Sequence, residues 1–233
     1  MRRPGLTTAL LVALVLACLG AVPATASATV STSTESTTST GDRIRALLTV
    51  VEVTAEEPYY PGYDRYCDPG ACVFGQEWTD DNTTRFGHNG CDTREDVLLQ
   101  QMHHIELRWG SQCRIYQARM RDPYTGRKLT WRRDGYRIQI DHLYPLSRAW
   151  YAGAWAWSQR KRTNFANDVD RELIATWGAT NQAKGNLTPA DWLPPREAYH
   201  CRYVLRYLKV AIHYDLSVTE ADVARMQDVA AGC

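Results

Sequence analysis

Apolar residues recur at helical spacing in one stretch of the first half of the chain and in several stretches of the second half. The first helix is predicted from Thr93 to Leu107, where the Thr93-x-x-Asp96 pattern is typical of a helix start. Its recurring apolar positions include Val97, Leu98, Met102 and Ile105. The later helices are predicted over residues 147–156, 158–168, 172–184, 196–213 and 218–230.

Between these helical regions, apolar and polar residues alternate as they do in β-strands. Strands are predicted over residues 114–120, 128–131 and 136–140, with a turn at residues 122–126. The third strand leads directly to Asp141 and His142, and Pro145 then ends regular strand pairing. The order of helix, strands and then helices predicts an α+β fold.

The N-terminus has the layout of a secretory signal peptide. Arg2 and Arg3 precede an apolar run from Leu6 to Leu19, and small residues follow this run. We therefore predict a signal peptide at residues 1–28 and a secreted, extracellular protein. The apolar run is shorter than the roughly 20 residues of a membrane span, and no later run is as long, so we expect no stable membrane association. A minor alternative is a lipoprotein anchored at Cys18, because the residues before Cys18 loosely resemble a lipobox.

A Ser/Thr-rich segment follows the predicted signal peptide. Residues 29–41 contain almost nothing apolar to bury, so they are predicted to form a flexible linker. The remaining residues, 42–233, are numerous enough for one domain with a substantial core.

The cysteines predict a disulfide framework. Six of the seven cysteines follow Cys18, and an even count in an exported protein favours disulfides. A zinc site is the competing interpretation, but no CxxC pair is present. Six cysteines allow fifteen connectivities, and the sequence does not choose among them. We favour pairing of nearest neighbours, namely Cys67 with Cys72, Cys91 with Cys113, and Cys201 with Cys233.

Net charge gives little support to nucleic-acid binding. The chain has 27 basic and 26 acidic residues, and loss of Arg2 and Arg3 with the signal peptide leaves a small acidic excess. Any binding of nucleic acid must therefore depend on local basic clusters. Two such clusters are Arg127, Lys128, Arg132, Arg133 and Arg137 before His142, and Arg160, Lys161 and Arg162 after it.

One constellation of polar residues predicts chemistry. Hydrolysis of a phosphodiester needs an activated water and a cation near the scissile phosphate, and Asp141 and Asn181 supply the oxygen ligands that hard cations prefer. His142 can accept a proton from water near neutral pH. Lys184 lies one helical turn after Asn181, where it could hold a phosphate. Taken alone, an adjacent Asp-His pair or a single Asn is more often a cap, turn or surface residue, so the prediction depends on the combination of these residues.

The surrounding motifs resemble those of a known family. These motifs are Ile140-Asp141-His142-Leu143-Tyr144-Pro145-Leu146, Phe165-Ala166-Asn167-Asp168, Asn181-Gln182-Ala183-Lys184-Gly185 and Trp192-Leu193-Pro194-Pro195. They resemble the exported actinobacterial HNH endonucleases, which are related to the C-terminal domain of GmrSD-type restriction endonucleases. The resemblance extends over most of residues 60–233. It implies a ββα-metal core within the α+β fold, in which a hairpin carries Asp141 and His142 and a helix carries the last ligand.

The resemblance also implies roles for single residues. Asp141 and Asn181 would bind one divalent cation, Mg²⁺ or Mn²⁺, and His142 would be the general base. Lys184, Asn167 and Arg137 are candidates for substrate binding. The middle asparagine of the HNH motif, which braces the loop around the base, falls near Glu172, and Asn164 or Asn167 could take its place.

Two functions from different classes remain open. The first is a secreted, metal-dependent endonuclease that acts on nucleic acid, with DNA the expected substrate. The second is a non-catalytic exported binding module on an HNH-like scaffold, because a fold alone does not decide function.

Overall fold

The structure, a computed structural model, describes residues 38–68 and 70–233. The α-helices are α1 (Thr40–Leu48), α2 (Thr93–Gln101), α3 (Trp131–Asp134), α4 (Leu146–Tyr151), α5 (Gln159–Ala166), α6 (Gly178–Lys184), α7 (His200–Tyr214) and α8 (Glu220–Ala231). The β-strands are β1 (Val53–Thr54), β2 (His103–Leu107), β3 (Ile115–Arg121), β4 (Lys128–Thr130), β5 (Ile138–His142), β6 (Leu173–Trp177) and β7 (Val218–Thr219). The fold mixes α-helices and β-strands, as predicted.

Strands β5 and β6 form an antiparallel pair that is followed at once by helix α6. The register pairs Ile138 with Trp177 and His142 with Leu173. A Cβ added at Gly178 would lie 2.8 Å from the carbonyl oxygen of Arg137, the residue before β5. The start of α6 therefore lies close to the start of β5. The unit formed by β5, β6 and α6 brings the end of β5 and the side chains of α6 together.

The β5–β6 pair contributes side chains to two hydrophobic clusters. One cluster joins Ile138, Ile140 and Leu173 to residues of α2 and of the antiparallel sheet with strand order β2-β3-β4. The other cluster contains Ile174 and the tyrosine-rich face of α7, together with residues of α1 and α8. Burial of apolar surface on both sides of the pair holds it between the outer sheet and the C-terminal helices.

Helix α8 begins with a capping box that fixes the C-terminal region. The Thr219 side chain accepts from the backbone N–H of Asp222, and the Asp222 carboxylate accepts from the backbone N–H of Thr219. Val218 in β7 pairs in parallel with Val53 in β1, so the C-terminal segment contacts the start of the described domain.

Three disulfides link the nearest-neighbour pairs that we favoured. They join Cys67 to Cys72, Cys91 to Cys113, and Cys201 to Cys233. The last of these ties α7 to the C-terminal residue, and the second ties the segment before α2 to the segment before β3.

Two of the predicted helices are wrong in part. The predicted helix from Thr93 to Leu107 ends at Gln101, and residues 103–107 instead form β2 because they pair with β3. The helix begins at Thr93, as predicted, with Asp92 as its N-cap. Residues 172–184 were predicted as one helix, but β6 occupies most of the first half and α6 the second. A short buried apolar run such as Leu173 to Ala175 does not distinguish a strand from a helix by periodicity.

The N-terminal predictions lie mostly outside the described residues. These are the signal peptide at residues 1–28, the alternative anchor at Cys18 and the linker up to residue 37. Thr40 and Gly41, at the end of the predicted linker, form the start of α1 behind the N-cap Ser39. Across residues 38–68 and 70–233, none of the helices combines the length and the apolar character that crossing a membrane requires.

Candidate active site

A cleft of about 520 Å³ lies at the end of β5, beside α6. Asp141, His142 and Asn181 all line it, so the structure brings together the three residues that the sequence assigned to the chemistry. Arg65 and Ser147 also line this cleft and supply further polar groups.

The imidazole of His142 is fixed on both sides. Its ring stacks on the Trp78 indole with centroids 5.6 Å apart and planes 12° apart. Its Nε2 lies 3.0 Å from the carbonyl oxygen of Ala166. Because a carbonyl only accepts, this contact assigns the proton to Nε2 and leaves Nδ1 as a free acceptor. Burial lowers the pKa of His142 to about 3, so the ring is neutral at physiological pH.

The Asp141 carboxylate is held by two buried donors. The Lys184 ammonium donates to Oδ1 over 2.7 Å, and the Tyr124 hydroxyl donates to Oδ2 over 2.5 Å. Burial raises the pKa of Asp141, and the Lys184 charge and both hydrogen bonds oppose that rise. Burial also raises the pKa of Tyr124 well above its usual range, so its hydroxyl keeps the proton that it donates. The carboxylate is thus rigid, and two of its four lone-pair positions remain unused by these donors.

The Asn181 amide has a defined orientation. Its Nδ2 donates to Oε1 of Gln139 in β5 over 3.0 Å. This hydrogen bond consumes the amide donor on one side and leaves the Asn181 Oδ1 as the group that can bind a cation.

Glu172 braces the loop that follows His142. Its carboxylate accepts from the backbone N–H of Tyr144 at 3.1 Å, and its backbone carbonyl accepts from the N–H of Leu143 at 2.9 Å. The side chain of Asn164 instead bonds to Thr83, and the Asn167 amide donates to Thr163. Of the three candidates for the middle position of the motif, Glu172 is the one that contacts this loop. Burial raises the pKa of Glu172 well above its usual range.

The three predicted substrate-binding residues lie outside the open part of the cleft. Lys184 is fully buried, and its Nζ also donates to the carbonyl oxygen of His142 over 2.6 Å. Asn167 is buried and lines a small cavity with His142 and Trp78. Arg137 is exposed just before β5, where its guanidinium lies over the rings of Tyr136 and Trp177.

Oxygen donors in the cleft have the chemistry of a hard-cation site. Asp141 offers a carboxylate and Asn181 an amide oxygen, and both are oriented by hydrogen bonds with neighbouring side chains, as metal ligands commonly are. A second group with ligand-type side chains, Cys91, Glu95 and Cys113, lies near α2. Its two sulfurs are joined in a disulfide and are therefore unavailable as thiolates.

Sequence reasoning missed three residues that shape this site. Trp78 stacks on His142, Tyr124 donates to Asp141, and Gln139 orients Asn181. Gln139 lies two residues before Asp141, so strand alternation places both side chains on the face that α6 covers and could have indicated this contact. Trp78 is distant along the chain, and no sequence pattern pointed to its contact with His142.

Comparison with known families places the chain. The family model for the C-terminal domain of GmrSD restriction endonucleases matches residues 92–229, which include both strands and the helix of the site. This chain belongs to the GmrSD C-terminal domain family. A relative from Arthroderma benhamiae, described as an uncharacterized secreted protein, is 37% identical over 144 residues, which cover 61% of this chain and 68% of the relative. No solved structure matches the chain. Membership of this family indicates a nuclease-related function that acts on nucleic acid, and the three disulfides are consistent with an extracellular location.

Proposed function

We propose that this GmrSD C-terminal domain protein is a secreted, metal-dependent HNH-type endonuclease that hydrolyses phosphodiester bonds in nucleic acid, with DNA the expected substrate. The β5, β6 and α6 unit would be its ββα-metal core. The family match supports the reaction class, and the cleft supports the assignment of residues.

The observation that carries the proposal is the fixed orientation of His142. The hydrogen bond from Nε2–H to the Ala166 carbonyl leaves Nδ1 free, and the Trp78 stack holds the ring plane. Nδ1 would take a proton from the attacking water, as a positioned general base does. Burial keeps the ring neutral, so the unprotonated form is present at physiological pH, but the same burial weakens the base, so the attacking water would also need the acidifying effect of the cation.

Asp141 and Asn181 would hold one divalent cation, Mg²⁺ or Mn²⁺. When bound, such a cation would neutralise the charge that develops on the phosphate and the leaving oxygen. The chain's own contribution is to orient the two donors, through Lys184 and Tyr124 for Asp141 and through Gln139 for Asn181. A site with few protein oxygens binds a hard cation weakly and completes its shell with water and substrate phosphate.

The remaining predicted residues receive roles that fit their positions. Lys184 would be a positioning residue, because its ammonium is enclosed between Asp141 and the His142 carbonyl. Asn167 would support His142 from the small cavity that both residues line. Arg137 would contact substrate, since it is exposed next to α6.

Export through the signal peptide at residues 1–28 is part of the same proposal. The three disulfides require an oxidising compartment to persist, and the Arthroderma benhamiae relative is described as secreted.

A plasmid-nicking assay on the secreted protein tests this function. Supercoiled plasmid should be converted to nicked and linear forms in Mg²⁺ or Mn²⁺, and EDTA should stop the conversion. Cleavage that continues unchanged in EDTA would remove the cation from the proposal. If neither cation supports cleavage of double-stranded DNA, single-stranded DNA or RNA, the proposal that the protein is a nuclease is wrong.

A non-catalytic binding module is the second candidate, and one observation favours it. Both oxygens of Asp141 accept hydrogen bonds from buried donors, and one of these donors is a cation. The Asp141–Lys184 pair could therefore be purely structural. Titration calorimetry with Mn²⁺ separates the candidates, because the enzyme binds Mn²⁺ in a manner that depends on Asn181 and the binding module does not.

A further inference from the structure

Positive charge is concentrated in one part of the sequence. Residues 107–140 contain nine basic and two acidic residues, a formal charge of +7, whereas the whole chain carries +1 and the remainder therefore −6. All nine basic residues are exposed, and the two acidic residues, Asp122 and Asp134, are buried. The basic residues are Arg108, Arg114, Arg119, Arg121, Arg127, Lys128, Arg132, Arg133 and Arg137. A chain of near-neutral net charge thus has a segment in which exposed positive charge is concentrated, as nucleic-acid binders do, although Arg114 and Arg133 are paired with Glu95 and Asp134.

Two of these basic residues, Arg108 and Arg132, line a groove of about 500 Å³. Three arginines and three aromatic residues line it, and we call it the arginine groove: Arg94, Arg108, Arg132, Tyr116, Trp131 and Tyr136. No carboxylate of the described residues lines the groove. The charge of the lining itself is therefore purely positive, while Asp92 and Glu77 act on Arg94 from outside it.

The aromatic rings of the groove are partly open and partly fixed. Tyr136 is 77% exposed, whereas the indole N–H of Trp131 donates to the carbonyl of Ile115 in β3 and so anchors that ring to the sheet. The Arg132 guanidinium lies 4.9 Å from the ring centroid of Tyr116. Alternating guanidinium groups and rings can bind phosphates and stack on bases at the same time.

The groove is connected to the active site through β5. The Arg94 guanidinium donates to the carbonyl of Ile138, the first residue of β5, over 2.8 Å. Next to Tyr136, Arg137 lies over Trp177, the residue immediately before α6. Asn181 follows within the first turn of α6. A bound strand could therefore continue from the groove to the cleft.

We propose that the arginine groove binds a single-stranded or locally unpaired segment of nucleic acid and guides it toward the cleft. The proposal rests on the nuclease function proposed above and names its substrate class. Arg94, Arg108 and Arg132 contact phosphates, and the open ring of Tyr136 stacks on a base. Unpaired strands are favoured over duplex because the base faces must be free to reach the ring.

An anionic membrane surface is the competing partner for a basic, aromatic region. Two features favour a nucleic-acid strand. The site is a shallow groove that a strand can follow, and eight of the nine basic residues are arginine, whose planar guanidinium matches phosphate geometry and stacks on rings.

Fluorescence anisotropy in EDTA measures binding separately from cleavage. The probes are a fluorescein-labelled single strand of about 20 nucleotides, longer than the footprint of a typical single-strand module, and the same sequence as a duplex. The full secreted protein should bind the single strand more tightly than the duplex. Arg108→Gln/Arg132→Gln should weaken binding and make the slope of log K against log salt shallower by about 1.4, from about 0.7 for each lost phosphate contact.

The matched control removes the same charge elsewhere. Lys209 and Arg225 are exposed on α7 and α8. Lys209→Gln/Arg225→Gln should leave both the affinity and the salt slope close to those of the parent. An equal loss in the two double variants would show that only net charge matters and would overturn the groove.

Stacking is tested by a pair of substitutions at one position. Tyr136→Ala should weaken single-strand binding by at least about fivefold, the low end for one stacked base, while Tyr136→Phe keeps the ring and the affinity. Tyr59 has the same 77% exposure, so Tyr59→Ala is the control and should bind like the parent. Parent-like binding by Tyr136→Ala would contradict the stacking contact.

The outcomes separate this inference from the proposed function. If the groove variants lose binding but the parent never cleaves in Mg²⁺ or Mn²⁺, the groove stands and the nuclease fails. If the parent cleaves and the groove variants bind and cleave as well as the parent, the nuclease stands and the groove fails. Binding to phosphatidylserine vesicles that depends on Arg108 and Arg132, without single-strand binding, would assign the surface to membranes and overturn the proposal.

Discussion

The Lys184 ammonium lies 2.7 Å from a carboxylate oxygen of Asp141, and the two side chains are 0% and 4% exposed. The same ammonium donates to the carbonyl of His142. One buried cation at the end of α6 therefore holds two consecutive residues at the end of β5. These are the proposed ligand and the proposed base.

Removing the cation from this pair should destabilise the fold strongly. Lys184→Met keeps much of the side-chain volume but leaves Asp141 buried without a counter-charge, which should cost about 3–5 kcal/mol of unfolding free energy. Urea denaturation measures this loss. Lys209→Met, at an exposed position of α7, should change stability by less than about 0.5 kcal/mol.

Neutralising the partner should rescue part of that loss. The Lys184→Met/Asp141→Asn protein no longer carries an unpaired buried charge, so it should be more stable than Lys184→Met alone. Equal stability of the parent and Lys184→Met would show that the ion pair contributes nothing to the fold.

Glu172 should make stability depend on pH. Because burial raises the pKa of Glu172 in the folded state above its unfolded value, the folded state binds the proton more tightly. Its stabilising contribution is complete below the unfolded pKa and is lost as pH rises through the folded pKa, at up to about 1.4 kcal/mol per pH unit. The parent should therefore lose stability relative to Glu172→Gln as pH is raised from about 4.5 toward neutral.

Chemical denaturation of both proteins at pH 5 and pH 7 checks this sign. Gln keeps an acceptor for the Tyr144 N–H. The variant therefore removes the negative charge of Glu172 while it retains the hydrogen bond to the loop. Parallel pH curves for the parent and Glu172→Gln would mean that Glu172 titrates as it does in the unfolded chain.

Residue patterns predicted the parts of the fold that local sequence determines. The alternating segment before Asp141 led to a strand that ends at His142, although it begins at Ile138 and residues 136–137 lie in a 3-10 helix. The favoured nearest-neighbour disulfides are those of the structure. Other parts depend on tertiary pairing. Residues 103–107 become a strand only because β3 lies beside them, and the buried run of β6 has no polar face to reveal its period.

The candidate site shows the same division between local and tertiary information. Asp141, His142 and Asn181 were predicted from their residue types, the surrounding motifs and the family resemblance, and they line one cleft. Lys184 was expected on the open face of α6 next to Asn181. In the structure it lies in the last turn of α6, and its side chain points into the interior, where it donates to Asp141. Its burial follows from the need to pair a buried carboxylate, which the sequence pattern does not show.

The Cys201–Cys233 disulfide should stabilise the C-terminal helices. It closes a loop with a sequence separation of 32 residues, and in the chain-entropy model such a loop contributes about 4 kcal/mol. The free energy of unfolding of the Cys201→Ser/Cys233→Ser protein should be lower by about that amount, so its urea midpoint should also be lower. Thiol titration of the denatured parent without reductant should detect no free thiol, and two or more thiols per chain would contradict the oxidised framework.

His142→Ala provides the most direct test of the central claim that this residue is the general base. Initial rates of plasmid nicking in Mn²⁺ are compared for the parent, His142→Ala and His200→Ala. His200 is the matched control, since its imidazole Nε2 also bonds to a backbone carbonyl, that of Pro194, but outside the cleft. His142→Ala should lose at least about 10²-fold in rate while remaining folded by circular dichroism, and His200→Ala should nick at close to the parental rate. A folded His142→Ala protein that nicks plasmid as fast as the parent would show that His142 is not the general base.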